Sequence, residues 1–109
     1  MTRQEVADMI AEVGIPTAYY QFTKDTAKPC PFICFFFSES NDLYADNSNY
    51  QKIENLVIEL YTKGKDFALE RTLESVLRSH EMAWSREETP LDSEGMYLEV
   101  YNLNVIIEE

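Results

Sequence analysis

The sequence predicts an α+β domain, in which two helices pack on a mostly antiparallel sheet of about five strands. Residues 56–61 alternate in polarity with the period of a strand, and the period becomes helical after Asp66. The two alternating sets are Leu56, Ile58 and Leu60 against Val57, Glu59 and Tyr61. A chain of 109 residues can bury one modest core, so residues 1–109 are expected to form a single domain.

The first helix is predicted to begin after Thr2. Thr2 and Glu5 match the capping-box pattern, and Gly14 followed by Pro16 is typical of a helix end. Its apolar residues fall at positions i, i+3, i+4 and i+7: Val6, Met9, Ile10 and Val13. One face of this helix is therefore expected to pack on the sheet.

Three strands are predicted before the second helix. Residues 17–23 (TAYYQFT) form a short strand, and residues 24–29 form a turn. Residues 32–37 (FICFFF) are apolar on both faces, which places this strand in the centre of the sheet or against a partner. Residues 39–49 (ESNDLYADNSN) are rich in turn formers and predict a long loop or an extended hairpin tip. The third strand spans residues 50–62.

The second helix is predicted to follow the turn Lys63-Gly64-Lys65, with Asp66 as its cap. Its apolar stripe holds Leu69, Leu73, Val76 and Leu77, and Glu70, Glu74 and Arg78 are expected on the opposite, polar face.

Two strands are predicted after the second helix, over residues 83–88 and 96–107, with a turn through residues 89–95. In the last strand two apolar residues fall out of phase with three others: Leu98 and Val100 against Leu103, Val105 and Ile107. This predicts a bulge near Asn102 or burial on both faces. The predicted order is helix, three strands, helix, two strands.

The acidic composition argues against sequence-independent DNA binding. The chain has 20 Asp and Glu against 9 Lys and Arg, a formal net charge of -11, whereas such binding depends on Lys and Arg neutralising phosphates. Solubility, an acidic wall past which DNA slides, and mimicry of DNA all remain compatible. No segment approaches the roughly 20 apolar residues of a membrane helix, and the N-terminus lacks a signal-peptide core, so we expect no membrane contact and a cytoplasmic chain.

The sequence offers little material for catalysis. Cys30 and Cys34 are expected on one face of a strand, about 13 Å apart, too far for a disulfide or a shared metal ion. Cys34 is predicted to be a small core residue. His80 is the only histidine, is expected to face solvent near the end of the second helix, and has no flanking motif that supports a thiol site. We therefore predict no catalytic residue, no cofactor and no enzymatic activity.

The acidic residues that come closest to a cation site are Glu54, Glu59, Glu70 and Glu74. Glu70 and Glu74 lie at i and i+4 of the second helix, where solvation of a polar face is the ordinary explanation, so no metal site is predicted. Most of the seven tyrosines lie in or beside predicted strands. They are suited to a half-buried sheet surface and equally to a protein interface.

Several segments, spread over most of the chain, carry a resemblance to a known family. They are GIP at 14–16, AYY at 18–20 leading to PFI at 31–33, YADN at 44–47 with Tyr50, IELYT at 58–62 with Lys65-Asp66, and EGMY at 94–97. In these segments the chain resembles the tail terminator or tail completion (head-tail joining) proteins of long-tailed phages and prophages of Gram-positive bacteria.

The resemblance implies an α+β subunit that forms a six-fold ring on the end of the tail tube, stops its growth and docks it to the head. The implied partners are further copies of the chain, the tail tube protein and the head-tail connector protein, with DNA only as passing cargo. A chain that is monomeric when isolated and forms the six-fold ring on assembly is compatible with this expectation. The implied location is the virion tail, and the host cytoplasm during assembly. We expect the assembly interface to combine the polar loop with the strand that follows it, at Asp42, Leu43, Tyr44, Asp46, Asn47, Tyr50 and Tyr61.

Other functions remain open at this point. An acidic DNA-mimic inhibitor, or another non-enzymatic protein-binding module, would need carboxylates spaced along one exposed face, whereas here they are dispersed. A small hydrolase would depend on Cys34 or His80.

Overall fold

A computed structural model describes residues 1–20, 29–40, 43–45, 48–91 and 95–108. In these residues a helix is followed by five strands, a second helix and two strands. The elements are α1 (Arg3–Ala11), β1 (Thr17–Tyr19), β2 (Phe32–Ser40), β3 (Leu43–Ala45), β4 (Ser48–Gln51), β5 (Ile53–Lys63), α2 (Phe67–Ser79), β6 (Ser85–Leu91) and β7 (Met96–Ile106). The α+β class with two helices and a five-stranded sheet is confirmed.

The sheet has the strand order β1-β2-β5-β7-β6. β1 pairs with β2 in parallel, and the other neighbours are antiparallel. The prediction of a mostly antiparallel sheet is wrong, because the sheet is mixed. Residues 20–31 connect β1 to β2, and a connection of this length can return the chain to the end at which it started, as parallel pairing requires.

The segment between β2 and β5 accounts for the difference in element order. β3 and β4 form a separate two-stranded antiparallel ribbon. A long loop or an extended hairpin tip was predicted for residues 39–49, and the described residues 43–45 and 48–49 agree with the hairpin. The single strand predicted over residues 50–62 is wrong, because it is interrupted at Lys52. Tyr50 therefore belongs to β4, whereas Tyr61 belongs to β5.

Both helices begin where their capping residues predict. The Thr2 hydroxyl accepts a hydrogen bond from the Glu5 N–H, and the Glu5 carboxylate accepts one from the Thr2 N–H. Asp66 caps α2 by accepting the Leu69 N–H at 3.0 Å. Both helices pack on the same face of the sheet, where the core lies between them and β2, β5 and β7. Within the described residues, no helix is long and apolar enough to cross a membrane.

β7 keeps a regular register with β5 along its whole length, so the bulge predicted near Asn102 is wrong. Burial alternates along β7 without a break. The polarity pattern is interrupted only because the core face holds a charged residue where an apolar one was expected. The buried residues on that face are Glu99, Tyr101, Leu103, Val105 and Ile107. Leu98 and Val100 lie on the opposite face and are half-buried.

Three further boundaries differ from the predictions. β6 extends to Leu91, so Thr89 and Pro90 lie in a strand instead of a turn; an edge strand tolerates proline because one side of its backbone needs no partner. β1 ends at Tyr19, and residues 21–23 of the predicted strand lie outside the described residues. Cys30 precedes β2 and is not part of the strand that holds Cys34.

Candidate assembly surface

The structure divides the predicted assembly interface. Leu43 and Tyr44 lie in β3 and Tyr50 in β4, so the ribbon brings these three positions together. The remaining loop residues, Asp42, Asp46 and Asn47, lie outside the described residues. The ribbon continues the hairpin formed by β2 and β5, whose last pair is Ser40 with Glu54.

Tyr61 lies in a different part of the molecule. It is eight positions from Ile53, the first residue of β5 after the ribbon, and this corresponds to about 26 Å along a strand. Its ring stacks on Phe32 with centroids 4.8 Å apart, and its hydroxyl donates a hydrogen bond to Glu59 Oε1 at 3.4 Å. Burial, with the neighbouring Glu59 carboxylate, raises the pKa of Tyr61 to about 12.

Tyr61 belongs to the sheet face opposite the helices, which we call the helix-free face because no helix among the described residues packs on it. The pairing registers place rows of residues side by side across this face. The central rows are Phe32, Tyr61, Leu98 and Thr89; Ala18, Cys34, Glu59, Val100 and Glu87; and Phe36, Val57, Asn102 and Ser85.

Aromatic rings extend the helix-free face beyond β2. Tyr20 directly follows β1, has 60% of its surface exposed, and stacks on Phe36 with centroids 4.8 Å apart. Ile106 is 43% exposed at the other end of the face. Cys34 is buried on this face, so the prediction of burial is confirmed, although the residue lies outside the core beneath the helices. The helix-free face therefore presents large apolar side chains toward solvent at Tyr20 and Ile106, whereas Val57 and Cys34 in its centre are buried.

A cluster of charges lies on the other side of the sheet, where the start of α2 meets β6 and β7. The Lys65 ammonium lies 2.6 Å from both Glu70 Oε2 and Glu99 Oε1, and it also contacts Glu88. Arg86 adds a second cation, 2.7 Å from Glu70 Oε1 and 3.7 Å from Glu99 Oε2. Glu99 is fully buried, and its Oε2 accepts no hydrogen bond.

The charges in this cluster do not balance, because three carboxylates face two cations. Burial raises the pKa of the Glu99 carboxyl to about 7; the hydrogen bond from Lys65 opposes the rise, and the Glu88 and Glu70 carboxylates support it. Burial alone would lower the pKa of Lys65, but its hydrogen bonds to the three carboxylates outweigh burial and raise it. The pKa values of Glu99 and of Lys65 can both be raised because Lys65 is shared among three carboxylates, which leaves Glu99 incompletely neutralised.

This arrangement corrects the prediction that Glu70 lies on a solvated helix face. Glu70 is buried between Lys65 and Arg86. Its predicted neighbour Glu74 is half-buried and accepts a hydrogen bond from the Tyr101 hydroxyl at 2.9 Å. Burial raises the pKa of Tyr101, and its bond to Glu74 acts in the same direction.

The four acidic residues considered for a cation site do not come together. Glu54 pairs with Arg3 at 2.9 Å, and Glu59 lies on the helix-free face. Within the described part of the chain, the three carboxylates close enough to share a cation are those of Glu70, Glu88 and Glu99, whose oxygens lie within 4.8 Å of one another. Lys65 contacts all three, so its ammonium takes the position that a metal ion would need.

His80 is half-buried and does not simply face solvent, as was expected. It is the C-cap residue that follows α2, and its Nε2 lies 2.7 Å from Glu12 Oε2, next to the end of α1. Cys34 lies on the helix-free face, so the sheet separates the thiol from the imidazole. A thiol site built from this pair is therefore not assembled.

The position of β5 limits how copies of the chain can meet. β5 has β2 on one side and β7 on the other, so its backbone is already paired. The part of the predicted interface strand that lies in β5, residues 53–62, therefore cannot add to a neighbour's sheet, and only its face is available. At the outer edge, β6 carries Arg86, Glu87, Glu88 and Pro90, residue types that discourage edge-to-edge pairing.

Comparison with protein-family models finds no family that matches this chain, and comparison with curated proteins finds no similar relative.

Sequence reasoning missed two features of these surfaces. The helix-free face was signalled by FICFFF, which is apolar on both faces, but not linked to Leu98 and Val100 on β7. The charged cluster was signalled by Glu99, which is in phase with the buried residues from Tyr101 onward. The partners of Glu99 come from the turn before α2, from α2 and from β6, and no local pattern connects these segments.

Proposed function

We propose that this chain is a structural subunit of a phage or prophage tail, which forms a ring on the end of the tail tube and joins the tail to the head connector. The resemblance of its segments to tail terminator proteins supports the proposal. The observation that carries it is the helix-free face, an aromatic sheet surface at whose end the β3–β4 ribbon continues the β2–β5 hairpin.

Large apolar side chains on one sheet face are suited to a protein contact. Monomeric soluble proteins rarely expose extended apolar patches, and the centres of protein interfaces are enriched in Tyr and Phe. A ring of identical subunits requires such surfaces because every subunit must contact two neighbours.

The ribbon is proposed to make the contact with the tube or with the next subunit. It forms its own small sheet, separate from the five-stranded one, so its pairing does not depend on the central strands. A hairpin extended in this way can reach beyond the body of a subunit.

The net charge of -11 is compatible with a ring through which DNA passes. Acidic side chains in a lumen would repel phosphates, so DNA would move past without binding. The DNA-mimic alternative is less well supported, because Glu70 and Glu99 are buried and cannot imitate exposed phosphates.

The proposal involves no chemistry. In the part of the chain that the structure describes, the three carboxylates of the charged cluster share Lys65 and Arg86, and His80 is paired with Glu12. The proposed role of the domain is to terminate growth by occupying the tube end.

The experiment compares tail tubes polymerised from the tube protein of the same phage or prophage, with and without this chain, by electron microscopy. The wild-type chain is expected to shorten the tubes and to decorate one end of each. Leu43→Ser with Tyr44→Ser should reduce end capping at least tenfold while leaving the circular dichroism spectrum unchanged.

Phe67→Ser is the matched control, because Phe67 is an aromatic residue that is 63% exposed on α2, away from the ribbon. This variant is expected to cap tubes normally. Capping by the doubly substituted ribbon that equals the wild type would remove the role assigned to the ribbon, and tubes of unchanged length with the wild-type chain would contradict the proposed function itself.

A further inference from the structure

Strand β6 contributes little to the core of the molecule. It lies at the edge of the five-stranded sheet, pairs with β7, and has no buried residue. On the sheet face beneath the helices, Arg86 contacts Glu70 and Glu99. On the same face, Glu88 contacts Lys65. An edge strand that buries no apolar side chain opens more readily than strands that carry the core, so the charged cluster has a large share in holding β6 in place.

Two carboxylates face each other across the β6–β7 pair. Glu88 lies directly opposite Glu99 in the register, so both side chains belong to the same sheet face. Like charges in this position destabilise a strand pair. Glu99 is fully buried, its Oε2 accepts no hydrogen bond, and the Arg86 guanidinium lies 3.7 Å from that oxygen. An ionised Glu99 is therefore poorly solvated and also opposite a like charge.

The charged groups that face Glu99 come from three neighbouring segments. They are Lys65 in the turn before α2, Glu70 in α2, and Arg86 and Glu88 in β6. Glu74, one turn further along α2, is bound to the Tyr101 hydroxyl. From β5, the residue opposite Glu99 is Leu60, which is buried and apolar. When Glu99 is ionised, three carboxylates share two cations.

A proton on Glu99 removes the repulsion from Glu88. Burial raises the pKa of Glu99 to about 7; the hydrogen bond from Lys65 opposes the rise, and a hydrogen bond to the Glu88 carboxylate supports it. The pKa of Glu88 is lowered, chiefly by its hydrogen bond from Lys65. Glu99 therefore holds the proton and Glu88 keeps the charge, so the repulsive pair becomes a hydrogen-bonded one.

Separation of β6 from β7 relieves an ionised Glu99. Arg86 and Glu88 leave with β6, and water then reaches the Glu99 carboxylate. Lys65 remains beside Glu99, because it belongs to the turn before α2 and not to β6. Arg86 is the lesser loss for Glu99, since its shorter contact, at 2.7 Å, is with Glu70.

We propose that Glu99 is a pH-sensitive switch for the edge of the sheet. While Glu99 carries a proton, β6 stays paired with β7; once Glu99 is ionised, β6 separates more readily than the rest of the sheet. Separation exposes the outer backbone edge of β7, which β6 otherwise covers. The switch belongs to the single chain and does not depend on the proposed ring.

The test is amide hydrogen exchange of the isolated chain by NMR at pH 5.5 and pH 8, corrected for the intrinsic exchange rate at each pH. Glu99→Gln keeps the shape of the side chain and cannot ionise. Glu88→Gln removes the opposing charge at an exposed position, so it leaves the core intact. Glu87→Gln is the matched control, because Glu87 is exposed on β6 but lies on the helix-free face.

The magnitude follows from proton linkage. Glu99 regains its ordinary pKa of 4.5 once water reaches it, so the population with β6 open rises about thirtyfold between pH 5.5 and pH 8. Protection of the β6 amides is therefore expected to fall at least tenfold in the wild type and in Glu87→Gln. The fall should be smaller in Glu88→Gln and absent in Glu99→Gln. At both pH values the β6 amides should be less protected than those between β2 and β5.

Two results would overturn the inference. A fall in Glu99→Gln as large as in the wild type would show that another group controls β6. Equal protection of the β6 amides and of the β2–β5 amides, at both pH values, would show that the sheet opens only as a whole.

Discussion

Lys65 is predicted to hold together the junction of α2, β6 and β7, because its ammonium contacts carboxylates from all three elements. Lys65→Met keeps most of the side-chain volume and removes the charge. Glu70 and Glu99, both buried, are then left with Arg86 as their remaining cation.

The magnitude follows from the burial of the partners. Removing one member of a buried ion pair costs about 3–5 kcal/mol. Lys65 keeps 22% of its side-chain surface exposed, and Arg86 remains in place, so we expect the lower end, a loss of about 3 kcal/mol at pH 8. At pH 5.5 the loss should fall to about 1 kcal/mol, because protonation of Glu99 removes one uncompensated charge.

The assay is urea unfolding followed by the fluorescence of Trp84, the only tryptophan, which packs against the core. Lys63→Met is the matched control, since Lys63 is exposed and two residues away. The control should change the free energy of unfolding by less than about 0.5 kcal/mol. A Lys65→Met variant as stable as this control at pH 8 would refute the view that the ammonium stabilises the cluster.

Three further predictions concern single side chains. The folded-state pKa of Glu99 is raised from 4.5 to about 7, so its contribution to the free energy of unfolding is complete below about pH 4.5 and is lost as the pH rises through about 7. Glu99→Gln should flatten this pH dependence. An unchanged slope in urea titrations from pH 4.5 to 8 would contradict the prediction. Asp66→Ala should cost about 1 kcal/mol by leaving the Leu69 N–H uncapped, measured by thermal unfolding, and no loss would remove the capping role. Tyr101→Phe should cost about 1–2 kcal/mol because Glu74 loses its hydroxyl donor, and equal stability of the two proteins in urea would show that water replaces it.

Both helices were predictable because their signals are local. Thr2 with Glu5 and Asp66 with Leu69 lie three residues apart, and each pair satisfies backbone groups at the start of its own helix. The alternation in the middle of β5 was likewise sufficient, because Leu56, Ile58 and Leu60 on the core side are all apolar and buried.

The last strand was harder to interpret because burial and polarity disagree at Glu99. An acidic residue on the core face interrupts the apolar pattern, and the interruption resembles a bulge. The burial of Glu99 depends on Lys65 and Arg86, which lie far from it in sequence. Long-range ion pairs of this kind leave no periodic signal.

The direction of β1 and the extent of β6 also depend on long-range pairing. β1 has three residues, and nothing in them indicates which way they run beside β2. Thr89 and Pro90 have the composition of a turn but pair with β7, because that strand is long enough to extend the hairpin.

The candidate surface was predicted only in part. Tyrosines on strands were equally suited to a half-buried sheet surface and to a protein interface, and the structure places Tyr61, half-buried, on the helix-free face. The sequence grouped Tyr61 with Tyr50, however, because both were assigned to one strand. The interruption at Lys52 and the intervening length of β5 place them on separate parts of the molecule.

The most direct test of the proposed function is the mass of the particle that the chain forms, measured by light scattering alone and after mixing with the tail tube protein. The proposal predicts a mass of six subunits, either in the isolated protein or in a complex that caps tube ends and stops their growth. A monomer at all concentrations, with no affinity for tube ends, would contradict it.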